Sequence, residues 1–576
     1  MPAPSQRWIE QRLNGALASL REGRLFKAQR TIDEVLDRVP DNLVALRLAG
    51  DIARADGRLD VALDRYIAAA KQDPSHLPTL DAIAQAAAAS DRTGPAIQAL
   101  ELTVVSDPTD GSRQRRLSQG YFTAGKLQES LGHARLATML SPGDAEAYSL
   151  LGTNLLHLEE FGPALDALDR AMAIDQQAVQ AMVNAAIGLD ALGRTEEATQ
   201  LRERAAALAP DDPLVAFQTK DTTIATADDP RLPAIEQRLE DPMLAVEGRV
   251  LGGLALAKLW DDAGDTARAA RHLVEANRLR AEQLERRGTA YDVAKTEALL
   301  QAMRHAFDTD LLDRAPQQRD GPVPIVLVGM PRAGKTLLET RLCDEPGLYA
   351  VGERPVISPV QQALEQRTGA GVPQHLDRLT SEDLIEVGRV LDEAVAAPSG
   401  TTAFVSASPL NTLAAGLFAL LDARTVVVHC RRDPRDVLLS NYLQWFPMQN
   451  PWSWTVDGLV HQYRVVESYA ELWAEVLAPR TVEVRYEELV ADPSAVLDRV
   501  RAVAGLPRSG PTPDVDDAAR VAASPTAKPD PSQPLHRAHV GLWRGWAEHL
   551  PELYAAIESA RLVEHYQQSE RSVVDS

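Results

Sequence analysis

The sequence predicts a multidomain protein, an all-α repeat solenoid followed by an α/β domain built on a parallel sheet. Three observations carry this. At 576 residues the chain exceeds the length at which one hydrophobic core stops growing. Its first 212 residues repeat with a fixed period. Its second half opens on an apolar strand, a glycine-bearing turn and a helix start.

The period is 34 residues. Pro40, Pro74, Pro108, Pro142 and Pro210 share one lattice, with Gln176 at the missing step. Gly23, Gly57, Gly125 and Gly193 fall on a second lattice, and five residues past each of its points stands a small residue: Ala28, Ala62, Ala96, Ser130, Ala164 and Ala198. Paired helices explain both lattices. Glycine permits the turn between the helices, the small residue lets them approach, and proline breaks the second helix before the next unit. These marks resemble the tetratricopeptide repeat. Six units span 9–212, and a degenerate pair near 250–283 keeps Gly264 and Ala269 inside a helical connector, 213–319. Such an array leaves a concave groove, which the resemblance implies holds a protein or peptide partner; a spacer or dimerisation platform is the alternative. Asp320 to Pro324 reads as the linker into the second domain, 320–576.

Composition narrows the function classes. A formal charge of −22 argues against wholesale nucleic-acid binding, so an anionic ligand has to be met by a local basic pocket. Two cysteines, Cys343 and Cys430, fit a reducing compartment and exclude a disulfide framework. The leading stretch MPAPSQRWIEQRLNG lacks the apolar core of a signal peptide, and no run reaches membrane-spanning length. A cytoplasmic protein without a membrane span is expected.

The second domain is organised around PIVLVGMPRAGKTLL, 324–338. Ile325–Val328 reads as a buried parallel strand, Gly329–Thr336 as G-x-x-x-x-G-K-T, and Leu337 as part of a helix. The glycines let backbone approach a phosphate, the first helical N–H groups point at it, and Lys335 and Thr336 add a charge and a hydroxyl. This predicts a phosphate loop of the P-loop type, with the phosphate compound left open.

GMPRAGKTLLETRL also resembles the 5′-phosphosulfate loop of sulfotransferases, Pro-Arg-Ser-Gly-Thr-Thr-Leu. The resemblance implies a P-loop, sulfotransferase-like fold and 3′-phosphoadenosine-5′-phosphosulfate (PAPS) as co-substrate, with no metal. Pro331, Arg332, Gly334, Thr336 and Leu337 match, whereas Ala333 and Lys335 depart. The implied contacts to the 5′-phosphosulfate run from Arg332 through Ala333, Gly334, Lys335 and Thr336 to Leu337. Glu353, in YAVGERPVISPV, resembles the general base of tyrosylprotein sulfotransferases, where a carboxylate takes the proton of the attacking hydroxyl. Arg332 and Lys335 complete the implied catalytic set.

In TTAFVSASPLNTL, Pro409 and Asn411 match the family's Asp-Lys-x-Pro-x-Asn, but Ser406 and Ala407 replace its aspartate and lysine. Lys335 is then expected to supply the charge that Ala407 lacks, or the activity is lost. The strand Thr425–Cys430 leads into RRDPRDVLLSNY, where Arg432 and Ser440 have the spacing of the family's 3′-phosphate motif. Asp436 and Asn441 fall there at kinase-like spacing by coincidence. TVEVRYEELVADP reads as another strand and helix start, with structural acids. HRAHVGLWRGW resembles the family's C-terminal segment, which implies that Arg537 reaches the 3′-phosphate and suits Trp543 to packing. The four prolines of 525–534 predict a lid or loop.

Two other classes compete with a PAPS-dependent sulfotransferase acting on a hydroxyl. A P-loop kinase or NTPase needs an acid at a neighbouring strand end to hold Mg²⁺, yet TTAFVSAS ends in serines and TVVVHC runs into arginines. A decayed scaffold that binds partners through its repeats is the third reading, with Ala407 in its favour. The acceptor (tyrosine, saccharide or small molecule) and the oligomeric state are not specified by the sequence.

Overall fold

The structure, a computed structural model, describes residues 4–90, 92–221, 224–241, 244–316, 321–344, 347–446, 450–507 and 539–574. The chain divides into two compact units. One comprises 1–223, 230–252 and 286–288, and the other 224–229, 253–285 and 289–576.

In the first unit, twelve helices from Gln6–Arg21 to Thr195–Leu208 form six antiparallel pairs. The two sequence lattices have direct structural meaning. Gly23, Gly57, Gly125 and Gly193 all take φ of 71–75° in the turns between paired helices. At the fifth step of that lattice stands Glu159, which adopts the same left-handed conformation at φ 60°. Ala28, Ala62, Ser130, Ala164 and Ala198 have no exposed surface, because each lies where the two helices of its pair cross. Ser130 and Ser118 exchange hydroxyl-to-carbonyl hydrogen bonds of 2.8 Å there, so the one hydroxyl on the lattice is satisfied inside the core. A third lattice was overlooked in the sequence. Asn42, Asp110, Asp144 and Asp212 cap the helices that open successive units, accepting backbone N–H groups of the first turn.

The second unit is built on five parallel strands in the order β2-β3-β1-β4-β5: β1 Val323–Val328, β2 Leu348–Gly352, β3 Ala403–Ser406, β4 Val426–Arg431 and β5 Thr481–Arg485. β1 pairs with β3 and β4 and lies at the centre, so Ile325 to Val328 are wholly buried. The helix Asn411–Leu421 has ten buried residues of its eleven, which its nearly continuous apolar sequence explains. Its Gly416 meets Phe307 and Trp473, whose rings cross edge to face at 5.4 Å. The degenerate helix pair Val246–Asp262 and Thr266–Arg287 turns at Gly264, φ 83°, and buries Ala269 completely. Within this unit Asn277 donates to the Tyr442 carbonyl at 3.0 Å, and the Arg280 guanidinium lies over Trp445 and Trp454 at 5.0 and 5.7 Å.

A left-handed conformation costs an L-residue about 1–2 kcal/mol that glycine avoids. Glu159→Gly, offset by the extra chain entropy of glycine, is expected to stabilise the solenoid by about 0.5–1 kcal/mol. Urea unfolding of the full chain followed by circular dichroism checks this; an unchanged or lower midpoint contradicts it.

Candidate functional site

The loop between β1 and the helix Lys335–Cys343 sits at the C-terminal edge of the sheet, where parallel α/β folds place their ligands. Gly329 has φ 127°, and a Cβ there would fall 2.2 Å from the carbonyl oxygen of Cys430 on β4. Only glycine lets the loop leave β1 this close to its neighbour. Gly334, at φ 93°, lies under the Tyr486 ring and precedes the helix without a side chain that caps it. The first helical turn therefore meets the loop with its N–H groups uncovered by any capping side chain, the arrangement that suits an anion.

The residues expected to hold phosphates converge. Arg332 Nε donates to Ser440 Oγ at 3.0 Å, and Arg432 donates to the Arg332 carbonyl at 3.1 Å and to the His539 carbonyl at 2.6 Å. Arg432 is buried against the Tyr486 ring, 4.8 Å from its centroid, and among the described residues its Nε has no hydrogen-bond partner. A buried guanidinium with a spare donor beside a serine hydroxyl fits a phosphate group. Asn441 fastens the same loop by donating to the Pro331 carbonyl at 2.9 Å. Ala333 and Leu337 are buried, while Thr336 is exposed on the first turn.

Lys335 turns inward. Its Nζ donates to the Gly329 carbonyl at 3.0 Å, and burial lowers its pKa, opposed by the negative charge available at Cys430 and Glu353. Glu353 is exposed just beyond β2, with no hydrogen bond to the other site residues among those described. It is nevertheless near enough to Lys335 for their charges to interact. Ala407 is 1% exposed and donates its backbone N–H to the Gly352 carbonyl at 3.0 Å. β3 ends in Ser406 and β4 in Arg431. Arg537 and the proline-rich stretch 525–534 lie outside the described residues.

Several site residues have roles that the sequence does not signal. Asp436, set aside as a coincidence of spacing, is 2% exposed and accepts the N–H groups of Gly541 and Trp543 at 2.6 and 2.9 Å. Burial raises its pKa, while Arg432 and those two N–H groups lower it. It tethers the C-terminal segment to the helix Pro434–Tyr442, which carries Ser440. Trp543 lies against Arg435, whose guanidinium is 4.0 Å from the ring centroid, and beside Tyr554. Thr412 accepts the Gly329 N–H at 3.1 Å, a role that one hydroxyl in an apolar helix does not advertise. Tyr486 had no signal beyond an aromatic residue after a strand. The acids around it are structural: Glu483 pairs with Arg431 and Arg485, and Glu487 accepts from Asp433 N–H and Tyr566.

The second unit is a parallel α/β domain in which a glycine loop meets an arginine–serine pair at the C-terminal edge of the sheet. Residues 324–510 match the family model described as "Sulfotransferase family". The protein thus combines a tetratricopeptide-type solenoid with a sulfotransferase-like domain. An uncharacterized protein of Aquifex aeolicus (strain VF5) is 24% identical over 334 residues, 55% of this chain and 42% of that protein. The chain therefore spans less than half the length of that curated relative. Among solved structures, MamA is 24% identical with a TM-score of 0.26, covering 28% of this chain and 94% of its own. YrrB, described as a TPR protein with an unusual peptide-binding site, is 17% identical with a TM-score of 0.27, covering 33% and 97%. Pseudomonas aeruginosa pilF is 14% identical with a TM-score of 0.30, covering 37% and 98%. Among the described residues no helix is long and apolar enough to cross a membrane, and no group of three or more His, Cys, Asp or Glu is placed to hold a metal ion.

Asp436→Ala leaves two half-buried N–H groups without their acceptor, at about 1 kcal/mol. The expected outcome is faster proteolytic cleavage within 539–546 while the β1 region stays protected. Equal cleavage rates in variant and wild type would show that the tether contributes nothing.

Proposed function

We propose that the chain is a sulfotransferase that moves a sulfuryl group from PAPS to a hydroxyl acceptor. The observation that carries this is the direct joining of Arg332, Ser440 and Arg432. Arg332, expected at the 5′-phosphate, thus bonds Ser440 through its side chain and Arg432 through its carbonyl, both expected at the 3′-phosphate and 108 and 100 residues away. In this reading Glu353 takes the proton of the acceptor hydroxyl as the new O–S bond forms. The bond between sulfur and the 5′-phosphate oxygen breaks, and 3′-phosphoadenosine-5′-phosphate leaves. Arg332, Thr336 and the first helical N–H groups neutralise the charge that grows on the 5′-phosphate. Lys335 adds to them after giving up its hydrogen bond to Gly329. Arg432 and Ser440, with Arg537 as a further candidate, hold the 3′-phosphate.

The kinase or NTPase reading needs a metal-holding acid at a strand end, where β3 and β4 offer Ser406 and Arg431. The scaffold reading draws on Ala407 and is separated from the other two by nucleotide binding. The acceptor is proposed to be a protein or peptide recruited by the solenoid groove, in a cytoplasmic setting consistent with the two unpaired cysteines.

Two outcomes test the reading. By isothermal titration the full chain is expected to bind 3′-phosphoadenosine-5′-phosphate more tightly than ADP, without Mg²⁺. Arg432→Ala should then cost about 1.5–3 kcal/mol of that affinity. Equal binding of ADP, or a strict metal requirement, favours the NTPase. The second outcome concerns Lys335. With PAPS and a tyrosine-containing peptide, Lys335→Thr is expected to lower turnover about 10²–10³-fold, the scale of one preorganised donor. Adding Ala407→Lys should restore part of that loss. A fully active Lys335→Thr, or no rescue, removes the idea that one cation has been relocated.

A further inference from the structure

The turn that carries Glu353 is held from both sides. β2 ends at Gly352, which has a left-handed φ of 71°, and its pairing with β3 shifts register between Ala350 and Gly352. The chain leaves the sheet abruptly here. The Gly352 carbonyl accepts the Ala407 N–H at 3.0 Å, and the Gly352 N–H donates to Oε1 of Glu339 at 2.8 Å. Glu339 lies on the helix Lys335–Cys343 that opens at the glycine loop, and it is 4% exposed. A carboxyl group that deep is costly unless a specific bond requires it. Burial pushes its pKa up to about 7; the Gly352 N–H opposes that shift and neighbouring Glu353 adds to it. Cys343, one turn further along the helix, is near enough for the Glu339 charge to raise its pKa further, on top of burial.

We propose that Glu339 is a positioning residue. Its carboxylate oxygen ties Gly352 to the helix of the glycine loop, so that the Glu353 turn and the phosphate-facing residues keep one spacing. The purpose of the clamp rests on the proposed role of Glu353 as the base, but its existence does not. The helix supplies Lys335 and Thr336 at its first turn and Glu339 one turn later, so a single rigid element serves both halves of the site. Ala407 completes the arrangement from β3. Its backbone N–H, a donor that any residue but proline would supply there, holds the same glycine.

Hydrogen–deuterium exchange of the full chain, read by mass spectrometry on peptides covering 348–356, tests the clamp. Glu339→Leu removes the acceptor, whereas Glu339→Gln keeps an oxygen without the charge. The Leu variant is expected to exchange about tenfold faster at Gly352 and Glu353, with the Gln variant near wild type. Affinity for 3′-phosphoadenosine-5′-phosphate should stay within about twofold in both, since the phosphate residues are untouched. If the Leu variant does not fold, Glu339→Met, closer in length, takes its place. Unchanged exchange in the variant lacking the acceptor, or equally fast exchange in Glu339→Gln, overturns the proposal. Failure of the wild type to bind the nucleotide would instead remove the sulfotransferase reading and leave the clamp standing.

Discussion

Everything at the sheet edge depends on one short bridge between the glycine loop and the segment after β4. Arg332 gives a hydrogen bond to Ser440, and its own carbonyl takes one from Arg432. Arg332 holds a left-handed φ of 69°, which an arginine adopts only when its surroundings impose it. The imposing groups are Arg432 on its carbonyl and Asn441 on the carbonyl before it. The loop is shaped by the segment it faces, as much as by its own glycines.

That bridge stands on a rigid base. Trp473 donates its indole N–H to the Thr412 carbonyl at 2.8 Å, and the Thr412 hydroxyl accepts the Gly329 N–H. The apolar core is thus bonded directly to the first residue of the loop. Asn411 adds a second connection, donating to the Ser406 carbonyl at 2.7 Å and to the Leu327 carbonyl at 3.3 Å. On the other side of β1, buried Glu467 meets both Arg431 and His429 of β4. Charge is thereby compensated beneath the site, at a depth where an unpaired ion would be prohibitive.

The architecture was legible because it is periodic or locally marked. A 34-residue lattice of Pro, Gly and Ala identifies helix pairs, and an apolar run before G-x-x-x-x-G-K-T identifies β1. The lattice even located the turn at Glu159, where no glycine marks it. Within the site, Arg332, Arg432 and Ser440 could be named because the resemblance rests on two short motifs, the loop after β1 and the end of β4 with the helix after it. Asp436, Thr412, Tyr486 and Glu339 could not. Each acts through a partner 13 to 152 residues away, and a local pattern holds no record of such a contact. Glu353 was named by resemblance alone; the left-handed turn that exposes it appears only once β2 and β3 are paired.

The division of the chain at 252 has a practical side. The helix residues 266–285 supply Asn277 to the Tyr442 carbonyl and Arg280 to the faces of Trp445 and Trp454. The three partners lie 2, 5 and 14 residues after Ser440 in the chain. A fragment begun at the sequence linker near 320 would keep every strand yet open a carbonyl and two indoles to water in the segment after Ser440. Anyone cutting or grafting the sheet-bearing half should keep residues 253–285 with it.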